Sequence, residues 1–161
     1  MKKLQEKVTF IGRPFPDQLM DEQKTFNEAN MEMEQNQVFL DFINKNNLEN
    51  TRSSLVVFGP ENFMYWYGVV ASNETAVPQG LMKFVLPETQ VAVEEKDKQN
   101  ISFFSQPLNV IISQFLAAVA DEGIEIYQNP GDSLTPYVLQ NLNLDTKKLT
   151  QELYLEDSLK N

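Results

Sequence analysis

Cysteine and histidine are both absent from these 161 residues. Without cysteine there is no disulfide framework, no thiolate nucleophile and no Cys-ligated zinc or iron–sulfur centre. Without histidine there is no Ser-His-Asp triad, no imidazole acid–base catalyst and no His-held metal. Positive charge is scarce. The 13 Lys and Arg stand against 23 Asp and Glu, leaving a net charge of −10. Binding phosphates needs a cationic face, so nucleic acid is not an expected partner, and an anionic membrane surface would repel the chain. No P-loop, dinucleotide fingerprint, nucleophile elbow or calcium loop is present. No cofactor and no metal are therefore expected, and the remaining chemistry is that of carboxylates, tyrosines, lysines and the backbone.

Long hydrophobic runs are also missing. No segment approaches the ~18 apolar residues of a membrane-spanning helix, and the two lysines of MKKLQEKVTF have no apolar run behind them to make a secretion signal. A cytoplasmic protein is expected, and the sequons Asn73-Glu74-Thr75 and Asn100-Ile101-Ser102 read as chance. Hydrophobic residues nevertheless make up 42% and aromatics 11% of the chain, enough for a real core. With no repeat and no linker composition, residues 1–161 are expected to form one domain. Residues 7–50 would supply its first strand and a long helix, and residues 54–157 the remaining sheet and a second helix.

Gly and Pro punctuate the elements. Val8 to Phe15 reads as a strand. Leu19, Phe26, Met33 and Leu40 recur every seven residues and predict one long helix or two abutting ones from Asp17 to Asn46, opened by Pro16. Ser54 to Phe58, Met64 to Ala71, Leu81 to Leu86 and Val91 to Val93 then read as four consecutive strands, and Asn100 to Gln106 as a loop. Leu108, Ile111, Ile112, Phe115, Leu116 and Val119 form a single apolar stripe, a helix with Pro107 before it and Gly123 at its C-terminal cap. Ile124 to Tyr127 could add a short edge. Pro136 to Leu139 and Leu153 to Leu155 close the pattern as strands. Adjacent strands with segregated helices predict an α+β fold with a largely antiparallel sheet, two main helices and hairpin connections.

The aromatic strand is the first candidate for a site. Alternation puts Phe63, Tyr65 and Tyr67 on one face and Met64, Trp66 and Gly68 on the other. Both faces carry large side chains, so each could be packed, or one could line an aromatic pocket for a flat apolar or cationic ligand. Glu94 and Glu95 end a strand beside Asp97. A glutamate turned inward there would have a raised pKa or need a cation, whereas a polar strand end is the simpler reading. Six acids between Asp17 and Glu34, against Lys24 alone, make either a solvated face or a docking face for a basic partner.

Several pieces together resemble the GyrI-like family, the effector-binding domains of bacterial multidrug-sensing regulators and their stand-alone relatives. They are Tyr65-Trp66-Tyr67-Gly68-Val69, Val77-Pro78-Gln79-Gly80-Leu81, Leu86-Pro87, the helix ending in Asp121-Glu122-Gly123, and Leu134-Thr135-Pro136-Tyr137. The resemblance implies two strand-helix-strand-strand modules in tandem around a cleft for small molecules, without the regulators' DNA-binding domain. It also implies a glutamate before Tyr137, where Thr135 stands, and an aromatic near Pro87, where Val91 stands. Both departures weaken a cation site and weaken hydrolysis by a Glu–Tyr pair. The expectation is a non-catalytic module that binds a hydrophobic or aromatic ligand with Tyr65, Trp66, Tyr67, Phe84, Thr135 and Tyr137 as wall residues. The alternatives are a protein-interaction or homodimerising module that uses the acidic helix, and an enzyme built on Glu94 and Tyr137.

Overall fold

The computed structural model describes residues 1–156; residue 157, the expected end of the second half, lies outside them. The elements follow as β1 (Lys2–Gln5), β2 (Val8–Pro16), α1 (Asn27–Glu34), α2 (Gln37–Lys45), β3 (Thr51–Phe58), β4 (Phe63–Ala71), β5 (Met82–Leu86), β6 (Thr89–Lys96), α3 (Leu108–Asp121), β7 (Tyr137–Asn143) and β8 (Leu149–Tyr154). The fold is α+β. All eight strands join one sheet in the order β1-β6-β8-β7-β3-β4-β2-β5, and every pairing is antiparallel.

Two modules are visible in that order. Strand β2, the pair α1 and α2, then β3 and β4 form the first, and β6, α3, β7 and β8 form the second. In each, the third strand lies between the other two. The second strands, β3 and β7, meet at the centre of the sheet. The tandem strand-helix-strand-strand arrangement is thus present, with β1 and β5 added as outer edges.

Several local expectations need correction. The stretch from Asp17 to Asn46 is not one helix. Asp21 Oδ1 accepts from the Gln23 and Thr25 N–H groups and Oδ2 from the Thr25 hydroxyl, and Lys24 adopts φ 67°, so the side chain holds a turn in place of a helical one. Asn36 then breaks the remainder by accepting from Phe39 N–H as the cap of α2. Pro16 ends β2 and opens only a 3-10 turn, Asp17–Leu19, instead of a long helix. The segment Ile101–Ser105 is a short 3-10 turn, residues 124–127 are not a strand, and β1 had no alternation to reveal it. Strands β4, β5 and β6 are not successive hairpins, because β2 lies between β4 and β5 and β6 pairs with β1 and β8.

The helices cover one face. Ile11, Phe15, Val56, Tyr65, Tyr67, Val138, Leu149 and Leu153 pack there with Phe39, Phe42, Ile112 and Phe115 in the main core. The opposite face carries its own cluster, Phe10, Leu55, Trp66, Leu86, Val91, Val93, Leu139 and Tyr154, and the sheet buries it by curling. In a flat sheet β5 and β7, four spacings apart, would be about 19 Å distant. The Phe84 and Tyr137 ring centroids are 5.5 Å apart, so this face is concave. Gly12 and Gly68 sit opposite each other in register, where the two strands come close. A Cβ on Gly68 would lie 2.1 Å from Ile11 O and 2.7 Å from Gly12 Cα. Only glycine permits that approach.

Candidate functional site

The alternation of β4 sorts the candidate tyrosines from the candidate tryptophan. Tyr65 and Tyr67 point into the helix-side core. Tyr65 stacks on Phe26 at 4.2 Å and donates its hydroxyl to Asn30 Oδ1 at 2.8 Å. Tyr67 donates to Glu34 Oε2 at 2.6 Å, and Glu34 holds Arg52 through both carboxylate oxygens, at 2.6 and 3.0 Å. Burial raises both hydroxyl pKa values, and the Glu34 charge raises that of Tyr67 further. Those two rings are satisfied parts of a packed polar network. Glu34, one of the six acids expected on a solvated or docking face, is engaged within it.

Trp66, Phe84 and Tyr137 meet on the concave face. The rings form a chain of edge contacts, Phe10–Trp66 at 6.2 Å, Trp66–Phe84 at 5.6 Å, Phe84–Tyr137 at 5.5 Å and Tyr137–Tyr154 at 5.8 Å. Phe84 and Tyr137 are half-buried. Exposed Met64 and Met82 share that face by alternation along β4 and β5. Strand β5, which carries Phe84, pairs within the sheet with β2 alone, so the wall closing onto Tyr137 is an edge strand. Thr135 is elsewhere. It lines a cavity of ≈ 180 Å³ with Tyr127, Glu156 and Tyr154, the last ring of that chain.

The sequence reading missed the carboxylate of the concave face. In β8, Leu149 and Leu153 face the helices and Tyr154 faces the concavity, so Glu152 shares the Tyr154 face. Its register row runs Val93, Glu152, Leu139, Leu55, Trp66, Pro14 across six strands. Glu152 is 5% exposed. Its Oε2 and the Tyr154 hydroxyl are both buried without a hydrogen-bond partner among the described residues. Burial raises the Glu152 pKa, opposed by the positive charge of Lys3. Burial and the Glu152 charge together raise that of Tyr154. Lys3 is exposed and opposes Val91, itself opposite Tyr154. The available signal was the alternation of Thr150, Glu152 and Tyr154 against Leu149, Gln151 and Leu153. A buried carboxylate with an open acceptor, bordered by aromatic rings, can stabilise a cation that has shed its water.

Glu94 does not join this site. It stands opposite Gln151, on the face turned away from Tyr137. Glu95 pairs with Lys148 at 3.1 Å at the sheet end. Among the described residues no three His, Cys, Asp or Glu side chains come together as a metal site, and no helix is long and apolar enough to cross a membrane.

No family model matches the chain, and no curated protein matches it. Solved structures do. SAV2435 bound to tetraphenylphosphonium superposes with a TM-score of 0.60 at 10% identity, over 100% of this chain and 96% of that one. A candidate bacterial transcription-regulation protein from Staphylococcus aureus MU50 gives 0.52 at 12% identity, over 94% of each chain. The integron cassette protein VCH_CASS2 from the mobile metagenome of Vibrio cholerae gives 0.50 at 7% identity, over 97% and 95%. The chain shares their fold along nearly its whole length.

Proposed function

We propose that this protein is a GyrI-like ligand-binding module whose concave aromatic face takes a small hydrophobic molecule, with preference for a cation, and does not turn it over. The observation that carries the reading is Glu152, a buried carboxylate on the aromatic face with an unpartnered oxygen. Taking a charge out of water costs free energy unless the charge gains a partner. An apolar cation supplies that partner and needs little dehydration of its own. The Trp66, Phe84, Tyr137 and Tyr154 rings supply apolar area and negative π-faces. The carboxylate missing at Thr135 is thus replaced by one from β8. The structural neighbour that holds tetraphenylphosphonium supports the same class of ligand. Phe84 touches Tyr137, so a bulky ligand enters by displacing the ring on edge strand β5. A regulatory role, in which ligand occupancy is the signal, follows from binding without chemistry.

The test is a titration with tetraphenylphosphonium and with neutral triphenylphosphine oxide, read by Trp66 emission. The chain has a single tryptophan, so the signal reports on this face. The cation shifts the emission with saturation, and Glu152→Gln weakens its binding roughly tenfold or more, the value of a charge-assisted contact, while changing the neutral compound's binding little. Failure of the cation to bind, or equal loss of both compounds in the variant, refutes the reading.

A further inference from the structure

We infer that Lys3 is the built-in counter-cation of Glu152 on the concave face, the charge that a cationic ligand must displace. The competition with a ligand rests on the function proposed above; the pairing of Lys3 with Glu152 does not. Lys3 of β1 stands opposite Val91, and Val91 opposite Tyr154. Val91 and Tyr154 belong to the concave cluster, so the Lys3 side chain rises from that face. Glu152, two residues before Tyr154, shares it. Two strand spacings and two residues separate Lys3 from Glu152, about 12 Å between Cα atoms in a flat sheet. A lysine and a glutamate leaning toward each other span that gap. The positive charge of Lys3 already opposes the rise that burial gives the Glu152 pKa.

No other cation of the strands shares the face. Lys2, Arg13, Arg52, Lys83 and Lys96 stand opposite Ala92, Tyr67, Leu142, Ile11 and Leu149, all members of the helix-side core. Arg13 and Arg52 are paired with Glu32 and Glu34, whereas Lys3 makes no ion pair among the described residues. Lys3 is exposed, so its ammonium keeps much of its water and holds the carboxylate loosely. A tethered charge is nonetheless present at an effective concentration on the order of millimolar. A small hydrophilic cation offers Glu152 nothing that Lys3 does not already supply. A cation carried on an apolar body adds contact with the Trp66, Phe84 and Tyr137 rings and displaces it. Lys3 thus makes the site selective for hydrophobic cations.

The experiment titrates Lys3→Met with tetraphenylphosphonium and with triphenylphosphine oxide, read by Trp66 emission. The variant keeps an apolar stem and loses the charge. The cation binds it roughly two- to fivefold more tightly than the wild type, the size of one screened charge interaction, and the neutral compound binds both alike. Lys3→Arg restores wild-type affinity. Lys2→Met removes the same charge from the other face of the same strand and changes nothing. In a Glu152→Gln background Lys3→Met brings no gain, because no carboxylate draws the ammonium inward. With no ligand added, a carboxyl NMR titration gives Glu152 a higher pKa in Lys3→Met than in the wild type, since the charge that favoured its ionised form is gone. Saturable cation binding without a gain in Lys3→Met, an equal gain for the neutral compound, or the same gain in Lys2→Met would each overturn the inference and leave the ligand reading standing. An unmoved Glu152 pKa overturns the pairing itself. A raised pKa with no cation binding to any of the proteins upholds the pairing and removes the ligand reading instead.

Discussion

Replacing Glu152 by glutamine should make the protein more stable near neutral pH, and the size of the gain should depend on pH. Glu152 is 5% exposed and Oε2 has no partner among the described residues. Leaving a buried group unsatisfied costs about 1–3 kcal/mol, and more when it is charged. Burial raises the native pKa above that of an ordinary glutamate, with the positive charge of Lys3 opposing the rise. Below the unfolded pKa both states are protonated, and no charge is buried. As pH rises through that value the unfolded chain releases its proton first, so the wild type loses stability until the native carboxyl also ionises. Beyond that point the penalty is constant. Glutamine never ionises, and its own burial cost does not change with pH. The gap between the two proteins therefore starts near its minimum around pH 4, widens with pH and levels off. For a chain of this size about 3 °C accompanies each kcal/mol, so each kcal/mol of charge burial that the variant escapes appears as about 3 °C at the plateau. Thermal unfolding followed by circular dichroism from pH 4 to pH 8 measures it. The reasoning is refuted if the gap is flat over that range or widens toward acid. A gain in stability coupled to a loss of cation affinity in the same variant is the signature of a charge kept for binding.

Two further outcomes test the scaffold. Gly68→Ala places a Cβ 2.1 Å from Ile11 O, which forces β2 and β4 apart at that pair. We expect a loss of about 1–3 kcal/mol or more in urea unfolding, and an unchanged midpoint would disprove the close crossing. Tyr65→Phe leaves Asn30 Oδ1 without the hydroxyl that donates to it at 2.8 Å. A loss of about 1–3 kcal/mol in the same assay is expected, with no change in Trp66 emission, because Tyr65 lies on the other face of β4.

Much of the architecture was legible residue by residue. The stripe from Leu108 to Val119 marked α3, and short apolar runs bounded by Gly and Pro marked the interior strands, because both signals are local. The break in the first helical segment was less visible. The seven-residue recurrence of Leu19, Phe26, Met33 and Leu40 continued across it, while the actual stops were side chains, Asp21 and Asn36, bonding to the backbone. Strand β1 is mostly exposed and had no alternation to betray it.

The chain by itself determined the chemical limits of this protein: no thiol, no imidazole, an excess of acid, and an aromatic strand with large side chains on both faces. It also determined the order of strands and helices, since these follow from neighbouring residues. Only the tertiary structure decided which aromatic face is concave and which carboxylate joins it. Glu152 reaches the row of Trp66 through Leu139 and Leu55, contributed by two intervening strands. Phe84 reaches Tyr137 because the sheet curls, and Gly12 and Gly68 let two of its strands come close. Register and curvature are properties of paired strands, and no single stretch of sequence carries either.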